Sequence, residues 1–380
     1  MLFQTKKADL IALNLYFSII KPILKPSSEP HITNMKRKSF LKLLAAGSLS
    51  FHAPAIITAK NSSSSGELIK PQKVRRGDVA AIVSPAGSVV RSSDIQEAVR
   101  EVKKLGLIPK LGENLGSRWG YLGGLDSERV SDFHAAFTDP KVNVIFPIRG
   151  GYGSSRLLPM LDFELIKNHP KAFIGYSDNT SLLIAMNQFS NIVTFHGPNA
   201  LSDWTTYTRD NWKKVLMQSS PAGIFETPSK RHIDDDPDFM RIYGGKARGQ
   251  LMGGNLSLMI QTLGTEWEID TRGKIIFFED VNEPLYKIDR MLTHLWLAKK
   301  LQDAAGFAVG HITNYKEDTG NTTRLDLIDV IRDRFEPLGK PCYIGLTTGH
   351  MSNMLTLPIG VEVEIDADKG YLKAIESAVS

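Results

Sequence analysis

Three polar residues far apart in this 380-residue chain carry the side chains of a hydrolytic set: Ser177, Glu279 and His350. A serine hydroxyl is a weak nucleophile until a base takes its proton, and an imidazole does so when a carboxylate orients its other nitrogen. Ser177 lies in Gly175-Tyr176-Ser177-Asp178, between the apolar Ala172–Tyr176 stretch and the helix-starting Asp178-Asn179-Thr180-Ser181. A strand that turns abruptly into a helix projects the turn residue outward. It also leaves free backbone N–H groups beside it, where a developing oxyanion can be held. The pattern Gly-x-Ser-x-Gly is met only in part, because Asn179 stands where its last glycine belongs. Glu279 follows the strand-like Lys274–Phe278, and His350 follows Cys342–Leu346. In such a set His350 takes the Ser177 proton and returns it to a leaving amine, while Glu279 holds the other ring nitrogen. Each residue also has a structural reading: a serine that starts a helix, a carboxylate that caps a strand, a solvated histidine. Spacing alone does not bring them together.

A second candidate is the glycine-rich Arg149-Gly150-Gly151-Tyr152-Gly153-Ser154-Ser155-Arg156-Leu157-Leu158. Glycines there let a ligand or another loop approach the backbone closely. A dinucleotide fingerprint would need a third glycine where Arg156 stands, and a P-loop would need Gly-Lys-Ser/Thr. An oxyanion or substrate-carboxylate role suits the loop better. The nine histidines include no H-E-x-x-H spacing, and the one cysteine, Cys342, has no disulfide partner and reads as a buried thiol. We expect neither a metal nor a cofactor.

The elements that must hold these residues alternate in type. Val79–Val83 is an apolar strand ending at Ser84-Pro85-Ala86-Gly87. A helix follows from Ser93, with Ile95, Ala98, Val99, Val102 and Leu105 on one face. Another begins near Asp126 and buries Val130, Phe133 and Phe137. Val142–Ile148 and Lys171–Tyr176 are the next strands. This alternation predicts an α/β fold with a parallel, flavodoxin- or Rossmann-like sheet, and ligands at the carboxyl ends of its strands. Ser177 and the loop after Ile148 both occupy that edge. Leu201–Asp238 lacks sustained periodicity and reads as a connection. A smaller α/β unit starts near Arg241, with Gly253-Gly254-Asn255 before a short helix. Its amphipathic helix Glu283–Lys300 buries Leu285, Ile288, Leu292 and Leu295, with Trp296 a further candidate. The expected division is 1–69 leader, export signal and linker, 70–205 nucleophile domain, 206–240 connection, and 241–380 second domain, with the active site between domains.

The formal charge of +5 is concentrated at one end. Residues 1–70 hold ten Lys/Arg and three Asp/Glu, and the rest hold 36 and 38. The body therefore has no basic footprint for nucleic acid. The basic Met35–Lys42 followed by the apolar Leu43–Ser50 predicts an export signal around Met35–Ala59, of the twin-arginine-like or Sec kind, with Met35 as the start. Leu10–Ile20 is too short to span a bilayer unaided, so no permanent membrane anchor is expected. The Asn61–Gly66 stretch reads as a flexible linker. The expected location is the periplasm.

Five motifs, GYSD at 175–178, RGGYGSSRLL at 149–158, GGNLSL at 253–258, FEDVNEPLYKIDRML at 278–292 and GHMSNMLTLPIG at 349–360, resemble the LD-carboxypeptidase family in its own order. The resemblance covers about residues 70–375. It implies a metal-free serine peptidase whose catalytic Ser177, Glu279 and His350 come from two domains. It also implies oxyanion N–H donors at Asp178 and Gly151, and a homodimer. The implied substrate is a peptidoglycan-derived peptide, cleaved between an L-centre and a terminal D-amino acid, usually D-alanine. A free carboxylate must then be recognised, for which Arg149 and Asn255 are candidates. Other implied or open readings are peptidyl-nucleotide cleavage of the microcin-immunity kind, an ordinary esterase, and a non-catalytic muropeptide-binding protein.

Overall fold

Apolar strands that are buried along nearly their whole length set the architecture, as parallel sheets require. The structure, a computed structural model, describes residues 66–228, 239–316 and 325–380, all within one unit, Ser62–Ser380. The expected export signal and most of the linker lie outside the described residues. The first part of the chain runs β1 (Val79–Val83), α1 (Ser92–Lys104), β2 (Ile108–Leu111), α2 (Asp126–Thr138) and β3 (Val142–Pro147). It continues through α3 (Phe163–Asn168), β4 (Ala172–Gly175), α4 (Thr180–Ser190), β5 (Thr194–His196) and α5 (Thr206–Leu216).

These strands form a sheet in the order β2-β1-β3-β4-β5, all parallel, and the order reverses between β1 and β3. That is the flavodoxin-like winding, whose ligand crevice opens where the order reverses. The loops after β1, β3 and β4 meet there. A sixth strand, β12 (Leu357–Ile359), is added antiparallel to β5 from far down the chain.

The later chain supplies β6 (Gly223–Ile224), β7 (Met240–Tyr243), β8 (Lys246–Asn255), α6 (Leu256–Gln261) and β9 (Ile275–Val281). Then come α7 (Leu285–Leu297), α8 (Lys300–Asp303), β10 (Gly306–Thr313), α9 (Leu327–Phe335) and β11 (Cys342–Ile344). The chain closes with β13 (Glu362–Asp366) and β14 (Tyr371–Ala374). The second sheet has the order β6-β14-β13-β8-β9-β10-β11-β7, with β8 to β11 parallel and the outer strands antiparallel. With eight strands it is the larger of the two sheets.

Two details join the sheets. Gly254 has φ +147°, and a Cβ there would lie 2.5 Å from Thr180 Cγ2, so β8 touches the first turn of α4. The Asn255 N–H donates to Thr180 Oγ1 at 3.0 Å. The chain after β12 then crosses to β8, with Gly360 N–H donating to Leu251 O at 2.7 Å.

The stretch read as an irregular connection contains a helix, α5. Thr205 caps it by accepting from the Thr208 N–H at 3.2 Å. Trp212 is fully buried, with ring centroids 6.2 Å from both Phe146 and Trp204. Burying a large side chain of this kind stabilises by roughly 1.5–3 kcal/mol, which ties α5 to the first sheet. Trp296, by contrast, remains 44% exposed on α7. Cys342 is buried, and burial pushes its thiol pKa up.

Candidate active site

The turn after β4 is built so that one side chain cannot avoid the crevice. Ser177 has φ 61°, a left-handed conformation that costs a non-glycine residue about 1–3 kcal/mol and persists only when neighbours enforce it. Those neighbours are visible. The Asp178 carboxylate, 2% exposed, accepts from the Ser154 N–H at 2.8 Å, and the Ser154 hydroxyl donates to Asp178 O. Burial, the largest influence on Asp178, raises its pKa, against the lowering effect of these bonds and of Arg129. Asn179 is buried and its Nδ2 donates to Arg149 O, Tyr176 O and Asn199 Oδ1 at 3.2–3.3 Å. This explains the departure from Gly-x-Ser-x-Gly: the side chain at 179 ties the turn to the loops after β3 and β5. Gly175 sits in a tight place, since a Cβ there would lie 3.1–3.2 Å from Pro147, Asn179 and Asn199 and those neighbours would have to give by a few tenths of an ångström.

The three separated residues do meet. Nε2 of His350 lies 3.0 Å from Ser177 Oγ, and Nδ1 lies 2.8 Å from Glu279 Oε2. An ionised carboxylate only accepts, so Nδ1–H donates to Glu279 and Nε2 is left to accept from the serine hydroxyl. Glu279 projects from β9 and is fully buried, whereas His350 sits in the loop after β11. Burial works to lower the His350 pKa, but the hydrogen bond and charge of Glu279, with Asp280, outweigh it and raise the pKa above the ordinary histidine value. Gly349 has φ +127°, and a Cβ there would lie 3.2 Å from Glu279 Oε2, so the loop can approach the carboxylate only through glycine.

The glycine loop faces the serine. A Cβ on Gly150 would lie 2.9 Å from Ser177 Cβ, 3.0 Å from Ser177 Oγ and 3.5 Å from the Asp178 nitrogen. Gly151, at φ +121°, passes over Gly87, whose N–H donates to Gly150 O at 3.2 Å. Buried Arg129 secures the far end by donating to Pro85 O and Gly153 O. A cleft of about 510 Å³ opens here, lined by Arg149, Gly150, Gly151, Tyr176, Ser177 and His350. Arg149 is exposed in it, with one long contact from Nη1 to Ser88 O at 3.4 Å. Asn255 is not part of it. Its side chain accepts from the Leu258 N–H at 3.3 Å and caps α6, so the second carboxylate-binding candidate is a helix cap. Among the described residues no group of three or more His, Cys, Asp or Glu side chains is placed to hold a metal.

Sequence reasoning missed two rings. Tyr176 lies against His350 with centroids 5.0 Å apart, and against His196 at 6.2 Å. His196 is fully buried beside Phe277 at 5.0 Å, and burial lowers its pKa to about 4, so this imidazole stays neutral behind the site. The signal available was positional, because His196 ends β5 beside Gly175 at the same sheet edge.

Comparison with known proteins identifies the family. Residues 80–197 match the LD-carboxypeptidase N-terminal domain, and residues 248–365 match the LD-carboxypeptidase C-terminal domain. The probable murein peptide carboxypeptidase of Bacillus subtilis (strain 168) is 38% identical over 312 residues, 82% of this chain and 95% of the relative. The muramoyltetrapeptide carboxypeptidase of Oxalobacter formigenes superposes with a TM-score of 0.67 at 27% identity, over 78% of this chain and 97% of that one. A structure of MccF in complex with glutamyl sulfamoyl guanosine gives a TM-score of 0.74 over 83% and 100%, and at 24% identity it speaks for the fold alone. The chain belongs to the LD-carboxypeptidase family, the S66 serine peptidases.

Proposed function

We propose that this carboxypeptidase removes the terminal D-amino acid, most often D-alanine, from a muramoyl tetrapeptide of peptidoglycan origin. The observation that carries the reading is the unbroken sequence of contacts Ser177–His350–Glu279 at 3.0 and 2.8 Å in an open cleft. In the first step Ser177 Oγ attacks the scissile carbonyl carbon while its proton passes to His350 Nε2. The carbonyl oxygen becomes an oxyanion held by the N–H groups of Gly151 and Asp178, and the Gly150 contact with Ser177 supports that placement. Collapse breaks the C–N bond, and His350 gives its proton to the departing amine. Water, deprotonated by the same nitrogen, then hydrolyses the ester and restores Ser177. Glu279 keeps the ring in the required tautomer and stabilises the imidazolium. Arg149, an exposed cation of the cleft next to the glycine pair, is the anchor for the free carboxylate that marks the end of the chain.

Mass spectrometry of a muropeptide tetrapeptide incubated with the protein tests this. Loss of one alanine residue that depends on Ser177 is the expected outcome. An intact tetrapeptide, together with cleavage of an aminoacyl sulfamoyl nucleoside, would replace this reading with a peptidyl-nucleotide activity.

A further inference from the structure

The oxyanion loop continues into an aromatic surface that the chemistry above does not use. Trp119, Tyr121 and Tyr152 are 52%, 67% and 45% exposed; the two tyrosine rings are in contact, and Trp119 opens the turn that carries Tyr121. Exposed large rings in a group mark a binding surface more often than an accident of packing.

The group is held rigidly. Trp119 and Leu122 exchange backbone hydrogen bonds of 3.0 Å around a tight turn in which Gly120 has φ +61°. Tyr121 stands at its tip. Leu122 is 2% exposed, and a Cβ on Gly153 would fall 2.2 Å from its Cδ2, so the turn is seated directly on the oxyanion loop. The Ser88 N–H donates to Tyr121 O at 3.0 Å and fixes the other side. The rings of Tyr121 and Tyr152 meet edge to face with centroids 5.6 Å apart. The Arg156 guanidinium lies 5.6 Å over the Trp119 ring and is itself held by Asp126 at 2.8 and 3.1 Å. The backbone beneath the rings is thus fixed by hydrogen bonds and packing, which limits the ordering cost when something binds them.

We infer that Trp119, Tyr121 and Tyr152 form a subsite for the saccharide at the amino end of the peptide substrate. The inference rests on the muropeptide reading above. Flat rings edged by phenol hydroxyls and a guanidinium match a pyranose, which has an apolar C–H face and a rim of hydroxyls. The reach also agrees. Three residues precede the scissile amide of a tetrapeptide and span roughly 10 Å when extended. Gly150 touches Ser177, and Tyr152 follows two residues later, about 7 Å further at full extension. Arg149 and Tyr152 flank the glycine pair in the sequence, so the loop bearing the oxyanion donor also bears one residue of each proposed subsite.

The test compares a tetrapeptide with the same tetrapeptide carrying its N-acetylglucosaminyl-N-acetylmuramoyl disaccharide. For the wild-type protein the disaccharide should lower KM about tenfold. In the double variant Trp119→Ala, Tyr121→Ala the ratio of the two KM values should fall to about one. Calorimetric binding of both compounds to Ser177→Ala should give the same tenfold ratio in Kd without turnover. Equal Kd values, or a ratio retained in the double variant, overturn the subsite. A fall in molecular mass on the double substitution also overturns it, by assigning the rings to a second copy of the chain. If no alanine is released from either compound, the proposed function fails instead, and the calorimetric ratio still decides the subsite.

Discussion

Glu279 and His350 are joined by a 2.8 Å hydrogen bond between a fully buried carboxylate and a ring that is 21% exposed. The buried partner is thus the one that cannot move, and the exposed one is the one that must exchange protons. Catalysis needs the neutral ring, so activity should fall as pH drops through the His350 pKa. That acid limb should lie above the ordinary histidine value, because Glu279 raises the pKa against the effect of burial. Glu279→Gln removes the charge and leaves burial dominant, which moves the limb to lower pH. Its kcat should fall about 10⁴-fold, since the amide no longer enforces the tautomer. A pH–rate profile of both proteins checks the shift, and an unmoved limb would exclude Glu279 as the partner that matters.

Ser177→Ala and His350→Ala should each lower kcat by roughly 10⁵–10⁶-fold, and the two together by no more than either alone. Residues acting as one unit do not add. Near-normal turnover in both single variants would end the assignment of the set.

Gly150→Ala tests the fit of the oxyanion loop against the nucleophile without replacing a polar side chain. The added methyl would lie 2.9 Å from Ser177 Cβ and 3.0 Å from its Oγ, both backed by a fixed turn. We expect a loss of about 10²–10³-fold in kcat, the scale of a lost oxyanion donor, with KM less affected. Full activity in this variant would mean that the loop stands back from the reacting carbonyl.

The strain at Ser177 predicts a stability difference between two inactive variants. Alanine keeps the φ 61° penalty, whereas glycine accepts that conformation freely. Ser177→Gly should therefore melt higher than Ser177→Ala by a few degrees, since about 1 kcal/mol shifts Tm by roughly 2–4 °C in a domain of 150–250 residues. Calorimetric scans of the pair measure it, and equal Tm values would show that the turn is not strained.

The parts of this design that were legible in the sequence are those written in local pattern. Apolar runs announced β1, β3, β4 and β9, and the strand-to-helix change at Gly175–Leu182 announced Ser177. Glu279 and His350 were recognisable by motif, but their meeting depends on a parallel pairing of β9 with β8 and β10 that no local pattern carries. The helix α5 did carry a signal, since its buried Thr208, Trp212, Val215 and Leu216 stand at i, i+4, i+7 and i+8, but it is only about three turns long and its first buried position is a polar threonine. β12 was hidden because three residues containing Pro358 do not read as a strand, although an edge position tolerates proline. Its membership of the first sheet is a long-range fact.

That long-range fact changes what a truncated chain should do. On sequence grounds the nucleophile domain ends at 205, so a cut near Asp203 falls at its boundary. In the structure the cut removes both Trp204 and Trp212, whose rings close the core over Phe146, and it removes β12 from the edge of β5. Deleting one buried aromatic side chain of this size costs about 3–5 kcal/mol, a large share of the 5–15 kcal/mol that holds a typical domain together. The lost strand also leaves β5 as an unpaired edge. A chain ending at Asp203 should therefore lack a cooperative thermal transition and aggregate. One ending at Met217 keeps Trp212 and should retain more structure, although it still has neither Glu279 nor His350 and no carboxypeptidase activity. Near-ultraviolet circular dichroism and thermal melts of the two fragments measure the difference. A sharp, reversible transition in the shorter fragment would mean that the first sheet is complete without α5 and β12, contrary to the packing of Trp212.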